Sequence, residues 1–220
     1  MKPFSFYAVA NNNLQNLMNP YRFAAFLIAL SFAGCTRVSS VFETYTGDGT
    51  ITTDQRHLAK FQAIDLEGAY DVILSQGEPS EVRIETDKNL LDHITTKVKD
   101  GKLTVSSEGN LRPTKTIKLY ISSPTYSAID LAGSGDIHAP APITSDKLTL
   151  GLAGSGNYDL QVKVKDLTTS ISGSGSIKLA GSADTHIAEV AGSGDLLADS
   201  LFSGTTKVDV MGSEIGRAHV

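Results

Sequence analysis

Four serines, each flanked by two glycines, stand in the second half of this chain: Gly133-Ser134-Gly135, Gly154-Ser155-Gly156, Gly173-Ser174-Gly175 and Gly192-Ser193-Gly194. The residue after each triplet is Asp136, Asn157, Ser176 or Asp195. Three chemistries use related motifs. Calcium-binding glycine- and aspartate-rich repeats have a nonapeptide period. Here the period is near 20, and acids in two copies of four do not build a ladder of hard-oxygen ligands. A phosphate-cradling loop needs Lys-Ser or Lys-Thr after a spaced glycine pair, and none follows. A nucleophile elbow needs Gly-x-Ser-x-Gly, which Gly-Ser-Gly is not. His138 and His186 lie inside the repeat, but His186 shares its position with Leu148 and Leu167, six before the first glycine, which reads as core or edge. Asp136 and Asp195 share one turn edge. A glycosidase acid pair needs carboxyls about 5–10 Å apart across a cleft, so polysaccharide chemistry stays open only as an alternative.

The elements that carry these serines are legible from their flanks. The first glycines are 21, 19 and 19 residues apart, the signature of a stacked repeat. Two residues before them stand Leu131, Leu152, Ile171 and Val190; four before, Ile129, Leu150, Thr169 and Ala188. Four after stand Ile137, Tyr158, Ile177 and Leu196; six after, Ala139, Leu160, Leu179 and Ala198. The residues between are mostly polar or small, so both flanks have the period of half-buried strands. Each unit reads as strand, tight turn, strand, with glycine supplying positive φ and close approach between turns. Serine can hydrogen-bond locally or to its neighbour in the stack. A hairpin meander would not require like residues at like positions. A β-helix, in which each strand pairs with its equivalent one repeat later, would. A worn copy runs from Ile64 to Val72, with Gly68-Ala69-Tyr70 in place of the triplet, and Val208, Val210 and Gly212-Ser213 approach a fifth.

The fold class predicted is therefore all-β, a right-handed parallel β-helix-like solenoid with Gly-Ser-Gly repeats of about 20 residues, over residues 61–213. Between Phe61 and Pro124 strands are expected at Tyr70–Leu74, Glu81–Glu85, Lys102–Val105 and Thr116–Ile121, with a helical turn near Asn89–His93, all as irregular first coils.

Residues 1–34 read as a targeting segment, whose true start is expected at Met18. An apolar run from Phe23 to Ala33, preceded by Arg22, is shorter than the roughly 20 residues that span a bilayer. It ends in Ser31-Phe32-Ala33-Gly34-Cys35, which resembles a bacterial lipoprotein signal with Phe32 in the usual leucine position. Cys35 is the expected lipidation site, and 35–60 the lipidated cysteine and a linker. As the sole cysteine it forms no intrachain disulfide. At the other end, residues 214–220 look like translated sequencing adapter, and the natural chain is expected to continue the interrupted triplet.

The net charge of −5 leaves no basic footprint for nucleic acid. No tryptophan and 7% aromatic residues are poor material for a sugar-stacking cleft.

The order Phe61-x-x-Ile64-x-Leu66-x-Gly68-x-Tyr70-Asp71-Val72-x-Leu74, then Gln76-Gly77, then Asp100-Gly101-x-Leu103, then repeated Gly-Ser-Gly-Asp resembles the putative auto-transporter adhesin, head GIN domain family of bacterial envelope proteins. The resemblance covers roughly Phe61 to Ser213. It implies a right-handed β-helix similar in shape to pectin-lyase-like solenoids without their catalytic residues, and an adhesin role. The resulting expectation is a non-catalytic envelope lipoprotein, on the periplasmic or surface side of the outer membrane. It would have no cofactor and no metal, and would meet the membrane through Cys35 and an unknown protein or glycan partner through its surface. The alternatives are a polysaccharide-active enzyme on a solenoid, and a periplasmic sensor or assembly partner.

Overall fold

A computed structural model describes residues 43–211. The targeting segment, Met18, Cys35 and residues 212–220 lie outside the described residues. The description begins with β1 (Thr44–Thr46), β2 (Ile51–His57), β3 (Ala63–Gly68), β4 (Tyr70–Gln76) and β5 (Glu81–Asp87). A 3-10 turn at Lys88–His93 precedes β6 (Ile94–Lys99), β7 (Lys102–Ser107), β8 (Asn110–Arg112) and β9 (Ile117–Ser123). The repeat region holds β10 (Ala128–Gly133), β11 (Asp136–His138), β12 (Ile143–Gly154), β13 (Asn157–Gly173), β14 (Ser176–Gly192) and β15 (Asp195–Met211). The domain is all-β. The expected strands and the helical turn are present, with ends that differ by at most a few residues; β9 begins at Ile117, one residue later than expected. The expected linker is not a linker throughout: β1 and β2 lie within 35–60, and β2 pairs antiparallel with β5 along its whole length. Polar residues there concealed the strand, because one face of β2 stays exposed.

In the repeat the pairing is parallel and joins each residue to its equivalent in the next unit. Gly154 pairs with Gly173 and Gly173 with Gly192; Leu152 pairs with Ile171 and Ile171 with Val190. Parallel neighbours cannot be joined by a tight hairpin, so the chain travels a circuit of 19 to 21 residues before it meets its own equivalent, with a bulge between β14 and β15 at Lys178–Ala180. The bend in that circuit shows in β13. Tyr158, Leu160, Val162 and Val164 point inward, then Lys165 and Asp166 are both exposed, and Leu167, Thr169 and Ile171 resume burial. Two successive outward residues shift the alternation by one and turn the strand toward the opposite side of the core. One curled sheet results. One arm runs β2-β5-β9-β4-β11, the other β12-β10-β3-β7-β6, and β13 is long enough to join both. The core between the arms holds the expected columns: Ile129, Leu131, Ile137, Leu150, Leu152, Tyr158, Ile171, Ile177 and Val190 are all buried.

The worn copy lies in register, with Ile64, Leu66 and Gly68 beside Ile129, Leu131 and Gly133, and Val72 beside Ile137. Its place in the stack does not follow chain order. β3 lies between β10 and β7, and β4 between β11 and β9. The coil formed by residues 63–76 is thus sandwiched between 102–123 and 128–138. Between those visits the chain leaves the stack through antiparallel pairs, β5 with β2 and β9, and β6 with β7. The expectation of successive first coils is corrected on this point. Matching columns say which strands can stack but carry no information on when the chain lays them down.

Two buried polar side chains of the repeat, Thr169 and His186, meet inside this core. His186, 2% exposed, is 3.1 Å from Thr169 Oγ1 in the next coil. Burial lowers its pKa. A neutral-favouring histidine contributes stability that is complete above the ordinary value near 6.5 and shrinks as pH falls below it, because the unfolded chain then binds the proton more readily. Urea unfolding at pH 7.5 and 5.0 should show this loss. A His186→Leu variant, which continues the column of Leu148 and Leu167, should lose the part due to this residue. An equal pH response in that variant would assign the effect elsewhere.

Candidate functional site

The triplets form one exposed ridge along the stack. Gly133, Gly154, Gly173 and Gly192 have φ of +153°, +134°, +129° and +119°, and all but the first lie well inside the region that favours glycine. This conformation lets the turn keep its place in the ladder. The N–H of Ser155, Ser174 and Ser193 donates to the carbonyl of Gly133, Gly154 and Gly173 at 3.0, 2.9 and 2.9 Å, and Ser134 reaches Gly68 at 3.4 Å. The second glycine of each triplet has a different reason. Gly135, Gly156, Gly175 and Gly194 are buried. A β-carbon at Gly135, Gly156 or Gly175 would be driven onto the backbone carbonyl oxygen of Tyr70, Gly135 or Gly156 in the coil below, and at Gly156 and Gly175 it would also stand 2.7 and 2.8 Å from Leu131 Cδ2 and Leu152 Cδ2.

Ser134, Ser155, Ser174 and Ser193 are exposed. Among the described residues their hydroxyls make no hydrogen bond, so the stacking role expected of serine falls to its backbone N–H. The adjoining column is a side-chain ladder: Asn157 Nδ2 donates to Asp136 Oδ1 and Ser176 Oγ to Asn157 Oδ1, both at 2.8 Å. One column further, Lys178 Nζ lies 3.1 Å from Asp159 Oδ2, a pair too exposed to contribute much stability. The ridge therefore offers a regular array of hydroxyl, amide and carboxylate groups at the strand spacing of about 4.8 Å.

That array has the groups to bind but not the arrangement to activate a serine. His138 lies on the outer face, and His186 is inside the core. Asp136 and Asp195 are three strand spacings apart, about 14 Å, because Asn157 and Ser176 intervene. A closer carboxylate pair lies on the other arm. Asp65 and Asp130 are register partners on adjacent strands. Lys102 Nζ is 2.5 Å from Asp65. Burial first, and then the Asp65 charge, pushes the Asp130 carboxyl up. The signal was present in the parallel Ile64-Asp65-Leu66 and Ile129-Asp130-Leu131.

Tyr70 marks the lower end of the ridge. It occupies the position of the second glycine, and its ring is buried. Its phenol lies against the α-carbon of Gly68, so a β-carbon there would come within 2.8 Å of the ring. Burial raises its pKa. Below it the chain from Ser107 to Thr116 swings out to form β8 beside β1, in place of another triplet. An open groove of about 420 Å³ lies there, lined by Gly68, Tyr70, Ser107, Asn110 and Thr114 among others.

The fold and site together define an all-β stacked domain whose regular exposed feature is a polar turn ridge. The chain belongs to the family described as putative auto-transporter adhesin, head GIN domain, which matches residues 60–219. Among solved structures, a putative adhesin from Bacteroides fragilis is 26% identical, with a TM-score of 0.71 over 76% of this chain and 79% of that one. A protein from Parabacteroides distasonis described as a putative lipid binding protein is 22% identical, with a TM-score of 0.64 over 76% of this chain and 81% of the other. A putative adhesin from the same organism is 24% identical, with a TM-score of 0.59 over 77% and 82%. No curated protein matches the chain. The family and these neighbours carry adhesin or lipid-binding names, and none of them an enzyme's.

Proposed function

We propose that this protein is a non-catalytic, adhesin-like module of the cell envelope. A lipid on Cys35 holds it at the outer membrane, and a right-handed parallel β-helix presents the triplet ridge to a protein or glycan partner. The reading rests chiefly on the ridge: four equivalent turns held by a continuous backbone ladder, with their serine hydroxyls free for an outside acceptor or donor. Family membership supports the adhesin class and the surface or envelope location. A ladder of equivalent groups favours an extended, repetitive or flat partner over a small molecule, because no one coil differs enough to form a pocket.

The ridge is tested by binding of the full chain to panels of glycans, matrix proteins and envelope proteins. Substituting Ser134, Ser155 and Ser174 by lysine should weaken the captured interaction at least about tenfold, since each bulky cation displaces a contact worth about 1 kcal/mol. Undiminished binding would move the site off the ridge, and no binder in any panel would remove the adhesin role. The anchor is tested separately: radiolabelled palmitate should label the wild type in a Gram-negative host, and Cys35→Ser should lose both label and membrane association.

The enzyme reading has one observation in its favour, the Asp65–Asp130 pair. If it holds, the protein releases reducing ends or unsaturated products from a polysaccharide panel, and Asp130→Asn abolishes that release. If wild type and Asp130→Asn are equally silent, the pair is structural.

A further inference from the structure

The ladder of turns stops above the base of the stack, and a groove takes the place of the next turn. In the triplets the N–H of each serine donates to a glycine carbonyl in the coil below. Ala69 is the equivalent residue of the worn copy, and its N–H has no partner among the described residues. The strands on either side of it are still paired, Glu67 with Ser106 and Tyr70 with Ile117. Between those pairs the lower chain, residues 107–116, leaves the stack, and the groove of about 420 Å³ opens where a short turn would have closed. The phenol of Tyr70 is the second unmatched donor. Tyr70 is 1% exposed, and its hydroxyl makes no hydrogen bond among the described residues. Burial raises its pKa, so it stays protonated and able to donate at neutral pH. The Ser107 hydroxyl lies near enough to temper that rise but does not reach hydrogen-bond geometry. A buried hydroxyl without an acceptor costs stability.

We infer that this groove binds a carboxylate-bearing sugar, one uronate ring, whose carboxylate accepts from the Tyr70 phenol and the Ala69 N–H beside the Lys115 ammonium. The charge of the lining carries the choice of an acid. Lys115 is the one charged residue that lines the groove. Asp87, behind Thr114, has its carboxylate engaged by Gly49 and Thr114, and Glu67, whose charge reaches the phenol, is not part of the lining. Donors with a cation and no opposing acid favour a carboxylate over a neutral acceptor, because charge-assisted hydrogen bonds are the stronger ones. The rest of the lining carries the choice of a sugar. Asn110 and Thr116 face the groove with side chains that make no hydrogen bond among the described residues, and these match ring hydroxyls. The volume lies in the lower part of the range for small-ligand clefts, about 300–1,000 Å³. The phenol's neighbours on this side, Gly68 and Ser107, both line the groove; one has no side chain and the other a short one that can rotate aside. The site is separate from the ridge serines, and the inference stands whether or not the ridge binds a partner.

The test titrates the isotope-labelled 220-residue protein with galacturonate and with glucuronate, and reads backbone amides by NMR. Galactose supplies the ring without the acid, and acetate the acid without the ring. At least one uronate should shift the amides of Ala69, Tyr70, Asn110 and Thr116 in a saturable way and leave those of Ser155 and Ser174 in place. Galactose and acetate should each bind at least about tenfold more weakly. Tyr70→Phe should weaken uronate binding about tenfold, yet unfold at the same or a higher denaturant concentration than wild type, because it removes a buried hydroxyl that has no partner. Lys115→Gln should weaken binding about threefold and reduce its salt dependence. Four results would overturn the inference: no saturable shift around the groove with either uronate, galactose or acetate binding as tightly as the uronates, Tyr70→Phe binding as wild type does, or Tyr70→Phe unfolding more easily than wild type, which would mean that the fold itself already satisfies the phenol.

Discussion

Valine in place of Gly173 is expected to destabilise the domain by about 4 kcal/mol, a large share of the stability of an ordinary domain. Two effects add. The backbone there has a φ of +129°, where a β-branched side chain is strained. A β-carbon would also be driven onto the carbonyl oxygen of Gly154, the acceptor for the N–H groups of Ser174 and Gly175. The turn can relax only by moving away from the coil below, which breaks those bonds and parts the columns on either side. Ser174→Ala, one residue away on an exposed side chain, should change stability by less than about 0.5 kcal/mol. Denaturant unfolding of the two variants against wild type decides the matter. Similar values would mean that the turns are not under the constraint argued for them.

The second large effect is expected at the base of the stack, where Asp87 is fully buried. Its carboxylate accepts from the N–H of Gly49 at 2.8 Å, the N–H of Thr114 at 2.8 Å and the hydroxyl of Thr114 at 2.7 Å. One side chain thereby ties the loop between β1 and β2 to the loop before β9. Burial alone would push this carboxyl up, but the hydrogen bonds from Thr114 and Gly49 outweigh it and hold it below its ordinary value. Asp87→Ala should cost about 3 kcal/mol or more, because it leaves buried donors without an acceptor. The pH dependence has a defined sign. A depressed carboxyl contributes stability that is complete above its unfolded value near 4 and is lost as pH falls through the lower folded value. Wild type should therefore lose stability below pH 4 more steeply than Asp87→Ala. Parallel curves for the two proteins would show that the carboxylate is not ionised in the fold.

Asp87 and Gly173 differ in how they could be found from sequence. Gly173 stands in a column of glycines at fixed spacing, and a position that admits only glycine in unit after unit declares a steric reason. Asp87 stands once, in a segment with no repeat, and its partners are 38 and 27 residues away along the chain. The same division runs through the candidate site. The ridge serines were legible because their spacing put them on equivalent turns. The Asp65–Asp130 pair needed the further knowledge that these two strands are neighbours. The side-chain ladder from Asp136 through Asn157 to Ser176 could be placed in one column but not seen as hydrogen-bonded.

The amino-acid sequence by itself determined the strands of the repeat, their inward faces, the turn glycines and the like-on-like register. All of these follow from a two-residue alternation and a circuit of 19 to 21 residues, which are local or periodic properties of the chain. Tertiary structure alone decided the order of the layers, with β3 and β4 laid between strands that come later in the chain. It also decided the antiparallel pairs that close the base, and that β15 ends the described stack with its valines open. The physical reason is that columns of similar apolar residues are interchangeable as neighbours. Which pair actually meets depends on loop paths and on single buried contacts such as those of Asp87 and Tyr70, and these leave no period in the sequence.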